Sequence, residues 1–197
     1  MRKGHVMSKL AFIFPGQGAQ KAGMGKDFYE NSEAARSFFD QAQKILDFDL
    51  KEMCFGEHEE LNLTEYTQPC MVSVCLAIVQ ELKKRGINPD ITAGLSLGEY
   101  AAVAAAGGMN ELDAIKLVRR RGILMQSTVP AGEGAMAAVL GLDAKKIEEI
   151  LESFENVWIA NYNCPGQIVI TGLTNEVQQG TIWRPPYEAS SLLLEVT

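Results

Sequence analysis

Only two histidines and four cysteines occur in the 197 residues, and neither type is grouped. Cys54, Cys70, Cys75 and Cys164 form no C-x-x-C pair and have no histidine nearby, so neither a zinc site nor a disulfide framework is indicated. Reduced and mostly buried thiols are expected instead. His5 sits in a basic leader, and His58 sits in Gly56-Glu57-His58-Glu59-Glu60, the composition of a solvated loop or helix end. Positive charge is scarce too. A net charge of -7 and a pI near 4.9 leave no broad cationic field for nucleic acid or a membrane surface, although a local cationic site remains compatible with them. Near the N-terminus the apolar run Leu10 to Phe14 is too short for a signal segment and meets Pro15-Gly16-Gln17-Gly18, so the expected location is the cytoplasm, with residues 1–7 a leader or alternative start. There is no internal repeat or low-complexity tract. What remains, 47% hydrophobic and 22% charged, describes an ordinary globular chain able to bury the core of one domain, or of one domain and a small subdomain.

Against this plain background stands Gly94-Leu95-Ser96-Leu97-Gly98. It follows the β-like Ile91-Thr92-Ala93 and precedes Glu99 and the alanine-rich stretch Tyr100 to Ala106, which reads as a helix with an acid near its positive end. Glycines on both sides let a chain turn from strand to helix so sharply that the central serine is left exposed, the geometry of a nucleophile elbow. Ser96 is therefore the candidate covalent catalyst.

Along the rest of the chain, Lys9 to Phe14 reads as a short buried strand. Ser32 to Leu46 has helical spacing, with Ala35, Phe38, Phe39 and Ala42 on one side. Thr67-Gln68-Pro69 is expected to open a second helix, apolar nearly all round from Met71 to Val79 and closed by Gly86. Asn110 and Asp113 begin a third, ending near Gln126 before a break at Pro130 to Gly134. On that helix Ala114, Leu117, Val118, Leu124 and Met125 fall on one stripe at 100° per residue, and Arg121 lies within it, while Arg119 and Arg120 are expected to point to solvent. A cation on an apolar face is costly without a partner, so Arg121 either pairs with a fixed carboxylate or awaits an anionic ligand.

After the break the order is strand (Ala135 to Gly141), helix (Asp143 to Phe154) and two strands (Val157 to Asn161 and Gln167 to Thr171). That is the first half of a ferredoxin-like unit. Residues 175–197 show no continuation of either period and look foreign to it.

Four segments taken together, Phe14-Pro15-Gly16-Gln17-Gly18-Ala19-Gln20, Gly94 to Tyr100, Arg121-Gly122-Ile123-Leu124-Met125-Gln126 and Asn161-Tyr162-Asn163-Cys164-Pro165-Gly166-Gln167, resemble the malonyl-CoA:acyl carrier protein transacylase family of fatty-acid synthesis. The resemblance runs from about Ser8 to Gly172; the family's serine motif usually has His where Leu95 stands. It implies an α/β fold: an α/β-hydrolase-like large subdomain over 8–126, incomplete here, a partial ferredoxin-like subdomain over 127–174, and a divergent tail over 175–197. It implies a ping-pong transfer in which Ser96 takes malonyl from malonyl-CoA and passes it to the phosphopantetheine thiol of acyl carrier protein. Gln17 and the backbone N–H of Leu97 would form the oxyanion hole and Arg121 would grip the malonyl carboxylate. No cofactor or metal is implied, because the coenzyme A thioester is a substrate; neither nucleic acid nor membrane is a partner. The family's activating histidine, downstream of the Pro-Gly-Gln strand, matches neither His5 nor His58. The base is thus absent unless Glu188 or Glu195 supplies one, and the expected cause is a chain that diverges after about Gly172. A serine acyl-thioester hydrolase and a non-catalytic module binding coenzyme A or carrier protein are the alternatives.

Overall fold

The computed structural model describes residues 9–128, 132–181 and 190–194. The leader 1–7, the start of the break at Pro130, and the candidate bases Glu188 and Glu195 lie outside the described residues. The chain forms two compact units, Met1–Met125 and Gln126–Thr197.

In the first unit, β1 (Ala11–Phe14) and β2 (Ile91–Gly94) pair in parallel, with Ala11 opposite Ile91 and Phe14 opposite Gly94. Around them lie α1 (Lys26–Asn31), α2 (Glu33–Gln43), α3 (Leu50–Phe55), a 3-10 turn (Glu59–Asn62), α4 (Thr64–Lys84), α5 (Gly98–Ala105) and α6 (Glu111–Thr128). Side chains close the helix starts where the first N–H groups lack partners. Ser32 accepts from Ala35 N, Asp49 from Lys51 N and Glu52 N, and Asn110 from Leu112 N and Asp113 N. The middle of α4 is buried, as its unbroken apolar run requires: Cys70 to Val74, Leu76, Ala77 and Val79 join Phe38 and Phe39 of α2 and Ile115 and Val118 of α6 in one core.

Helix α4 begins three residues earlier than its sequence predicts, at Thr64, which leaves Pro69 inside it. A proline there has no N–H to give to the carbonyl four residues back, that of Glu65. Arg119 of α6 supplies the missing donor: its Nη1 lies 2.8 Å from Glu65 O and 3.1 Å from the Glu65 carboxylate. The other edge of the guanidinium forks onto Asp47, with Nε–Oδ1 and Nη2–Oδ2 both 2.9 Å, and the group lies 5.2 Å from the Phe48 ring centroid and 5.0 Å from that of Tyr66. Its side chain is only 12% exposed, which corrects the expectation that Arg119 points to solvent. All its partners are 53 or more residues distant in sequence, with Asp47 at 72, so helical periodicity could not place it.

The second unit is β3 (Gly134–Leu140), α7 (Ala144–Leu151), β4 (Val157–Cys164), β5 (Gln167–Leu173), α8 (Thr174–Thr181) and β6 (Ser190–Leu194). Its four strands form one antiparallel sheet in the order β4-β5-β3-β6. The tail over 175–197, read from sequence as foreign, provides both α8 and β6, the latter set against β3 with Leu192 opposite Ala138 and Leu194 opposite Met136. Neither period was visible there for simple reasons. Thr174-Asn175-Glu176-Val177-Gln178-Gln179-Gly180-Thr181 carries a single large apolar residue, Val177, and Ser190-Ser191-Leu192-Leu193-Leu194 does not alternate. The architecture is α/β, and among the described residues no helix is long and apolar enough to cross a membrane.

Replacing Arg119 by Met should lower the stability of the first unit by about 2–4 kcal/mol, because a buried cation is lost from two carboxylates, two rings and the carbonyl freed by Pro69. Amide hydrogen exchange in α4 is the readout. Arg119 holds the Asp47 carboxyl below its usual range, chiefly through the hydrogen bond. A depressed carboxylate contributes its stabilisation above the unfolded value of about 3.9 and loses it as the pH falls through the folded value, so the gap between wild type and Arg119→Met should narrow in acid.

Candidate functional site

The strands β1 and β2 end side by side, and the hydrogen bond from Leu95 N to Phe14 O (3.1 Å) carries the pairing one residue past β2. The chain then reverses within three residues. Gly98 N donates to Leu95 O at 2.9 Å and Glu99 N to Ser96 O at 3.1 Å, and α5 begins at Gly98.

Three glycines make this crossing possible. A Cβ on Gly94 would lie 2.1 Å from Gly98 C and O, and one on Gly98 would lie 2.3 Å from Phe14 O and 2.7 Å from Pro15 O. A Cβ on Gly16 would lie 2.9 Å from Leu95 O. No side chain fits at these distances, so the Pro15–Gly18 loop and the elbow are pressed together backbone to backbone. Ser96 stands at the apex with φ of 50°, and it alone among the described non-glycine residues has a positive φ. Such a conformation costs a non-glycine residue about 1–2 kcal/mol and is retained where the surrounding structure enforces it. Ser96 is exposed, and its hydroxyl has no hydrogen-bond partner among the described residues.

Leu97 follows with its side chain 1% exposed, in contrast to Leu95 at 58%, so the turn buries one leucine as an anchor and leaves the other at the rim. The backbone N–H groups of Leu97 and Gln17 make no hydrogen bond among the described residues. Backbone donors left free in this way are what a developing oxyanion requires. The Gln17 side chain is held away from free rotation, its Nε2 donating to Thr64 Oγ1 at 3.0 Å. Its neighbour Gln20 accepts from Gly18 N at 2.8 Å and donates to Asn62 Oδ1 at 3.2 Å. Nothing in the local sequence singles out Thr64, whose partner lies 47 residues away.

Arg121 lies with its guanidinium 5.6 Å from the ring centroid of Tyr100, one helical turn beyond Ser96 in α5. Unlike Arg119, it forms no ion pair among the described residues. The stripe assigned to it from sequence is corrected. The buried face of α6 is Ala114, Ile115, Val118 and Gly122, whereas Leu117, Leu124 and Met125 are 44%, 50% and 46% exposed. Apolar residues surround this helix on more than one side, and the closest approach decides between them: a Cβ on Gly122 would lie 2.8 Å from both Glu65 Cα and Thr64 O. Arg121 sits half-buried beside that contact. A further polar residue, Gln68, is wholly buried; its Nε2 lies 3.4 Å from Met125 Sδ and its Oε1 has no partner among the described residues.

No histidine meets Ser96 among the described residues. His58 Nε2 pairs with Glu52 Oε1 at 3.1 Å at the end of α3, and His5 lies outside the described residues. All four cysteines are free; Cys54 and Cys70 are buried, burial pushes the Cys75 thiol up to about 11, and Cys164 is exposed. An apolar cavity of about 420 Å³ opens between β1 and α4, bounded by Phe12, Ile13, Val74 and Ile78, with no carboxylate, histidine or cation in its lining.

Residues 11–181 match the acyl transferase domain family. The malonyl CoA-acyl carrier protein transacylase of Bacillus subtilis (strain 168) is 48% identical over 177 residues, which are 87% of this chain and 56% of that protein. The crystal structure of malonyl CoA-acyl carrier protein transacylase from Clostridium perfringens superposes with a TM-score of 0.86 at 41% identity, covering 95% of this chain and 60% of that one. A type II PKS acyl-carrier protein in complex with its malonyl-transacylase gives a TM-score of 0.85 at 37% identity, covering 95% and 62%. The chain thus spans about half the length of the relatives it matches, and the family match extends beyond Gly172, to residue 181.

The strain at Ser96 has a measurable consequence. Ser96→Gly should be more stable than Ser96→Ala by about 1 kcal/mol, because glycine accepts the left-handed conformation that alanine resists. Thermal unfolding of the two variants is the comparison; equal stability would mean that the apex is relaxed.

Proposed function

Because the chain belongs to the acyl transferase domain family, we propose that it carries the nucleophile, the oxyanion donors and the carboxylate clamp for moving malonyl from malonyl-CoA to the phosphopantetheine thiol of an acyl carrier protein. The observation that carries this reading is the strained, exposed Ser96, followed by Leu97, whose N–H, like that of Gln17, has no partner among the described residues. Ser96 Oγ attacks the thioester carbonyl, the carbonyl oxygen becomes an oxyanion held by those two donors, and the C–S bond breaks to release coenzyme A. The carrier-protein thiol then attacks the malonyl ester and frees Ser96. No cofactor enters either step.

Arg121 selects the acyl group. Its guanidinium fork suits a carboxylate, it carries no ion pair among the described residues, and it lies over the ring of Tyr100, a residue four positions after the nucleophile. A serine acyl-thioester hydrolase needs no such cation, so Arg121 favours transfer over that alternative. We read Met1–Met125 as an α/β-hydrolase-like unit and Gln126–Thr197, with its βαββαβ order, as a ferredoxin-like unit, and we place the protein in the cytoplasm. The proton of Ser96 needs an acceptor that no histidine among the described residues provides, so turnover by these residues alone is expected to be slow.

Incubation with malonyl-CoA and the phosphopantetheine form of an acyl carrier protein should yield malonyl carrier protein; release of free malonate instead would support the hydrolase, and carrier-protein binding without either product would support the non-catalytic module. Arg121→Ala should weaken the use of malonyl-CoA by about 2–4 kcal/mol and spare acetyl-CoA. An equal fall for both donors would make Arg121 a structural residue.

A further inference from the structure

We propose that Arg119 is a positioning residue for the acyl-transfer centre, acting through Thr64 on Gln17; the proposal rests on the reading of Ser96 and Gln17 given above. Three features of the first turn of α4 lead to it. Pro69 withholds the N–H that would close this turn onto Glu65 O, so the turn is the one place in α4 where the helix ladder is broken from within. Arg119 restores the bond from outside, at 2.8 Å to that same carbonyl, and ties the turn to Asp47 with a two-pronged pair. Gly122, one turn further along α6, lets the two helices approach until a Cβ would stand 2.8 Å from Thr64 O. The turn keeps its bonds from Tyr66 N and Thr67 N to Leu63 O, at 2.9 and 2.8 Å, but at Glu65 it is closed by α6 and not by its own helix.

Thr64, the first residue of that turn, is the residue that holds Gln17. The Pro15–Gly18 loop is fixed at Gly16 by the elbow backbone and at Gly18 by Gln20, and the bond to Thr64 is what holds the exposed Gln17 side chain between them. A loop with a free N–H that must meet an oxyanion needs an anchor, since a displacement of about 1 Å is enough to cost about 100-fold in rate. The path runs from the Asp47–Arg119 pair to the Glu65 carbonyl, along the backbone to Thr64, and from Thr64 Oγ1 to Gln17, and its hydrogen bonds are each 3.0 Å or less. Arg120 is exposed and takes no part in it, and Arg121 works at the acyl group itself, so Arg119 and Arg121 have different roles.

The test uses the full chain and an excess of a fluorophosphonate over a long incubation suited to a serine without a histidine base: a P–O bond to Ser96 Oγ forms, fluoride leaves and the hydroxyl proton passes to solvent. Wild type should be labelled at Ser96 and Ser96→Ala should not. Thr64→Val and Arg119→Met should each slow labelling about tenfold, and Thr64→Ser should recover to within about twofold. Adding Pro69→Ala to Arg119→Met should restore much of the rate, because the alanine N–H closes the turn that arginine otherwise closes. In a Gln17→Ala background neither Thr64→Val nor Arg119→Met should slow labelling further. The Gln17 side-chain amide signals in a ¹⁵N spectrum should shift in both variants, which reads the anchor independently of reactivity. Unshifted signals, unchanged labelling rates, or an equal slowing in the Gln17→Ala background would overturn the proposal. If wild type is labelled no faster than Ser96→Ala while the Gln17 signals do shift, the contact path stands but the reading of Ser96 falls, and the positioning role falls with it.

Discussion

The crossing of two loops without intervening side chains is the constraint on which the site depends. Phe14 and Gly94 end their strands together, and from there the backbones of Gly16, Leu95 and Gly98 approach to distances that any Cβ would violate. This contact fixes where α5 begins and goes with the left-handed conformation of Ser96 at the apex. A short two-stranded parallel pair is a weak support by itself, since parallel strands are ordinarily buried on both faces. Here the rigidity comes from the helices behind it, above all α4, whose apolar middle packs against α2 and α6.

Around that crossing, charge is used sparingly and in contrasting ways. Arg119 and Arg121 are two residues apart on one helix, yet among the described residues the first is saturated by Asp47, Glu65 and two aromatic rings and the second has the face of Tyr100 and no carboxylate. A saturated cation holds structure, whereas a cation without a carboxylate partner keeps its charge available. The net acidity of the chain is no obstacle, because recognition of one carboxylate needs one well-placed guanidinium.

Much of this was legible in the sequence because it is written in short-range signals. The elbow follows from two glycines flanking Ser96 between a β-like and a helix-forming stretch, and the caps at Ser32, Asn110 and Asp143 follow from residue type and spacing. What stayed hidden depends on distant partners or on weak periodicity. Arg119 was assigned to solvent because its ring and carboxylate partners arrive from the α2–α3 connection and from α4. The early start of α4 was hidden by Pro69, which marks helix openings more often than interiors. In the tail, α8 and β6 carry too few patterned apolar residues to declare themselves, and only pairing with β3 reveals the strand.

The most direct test of this account is the site of covalent capture. The chain is incubated with malonyl-CoA, quenched in acid and mapped by peptide mass spectrometry. A malonyl ester confined to Ser96, and absent from Ser96→Ala, is the predicted result. A malonyl group on any other side chain, or no adduct at all although malonyl-CoA binds, would contradict it.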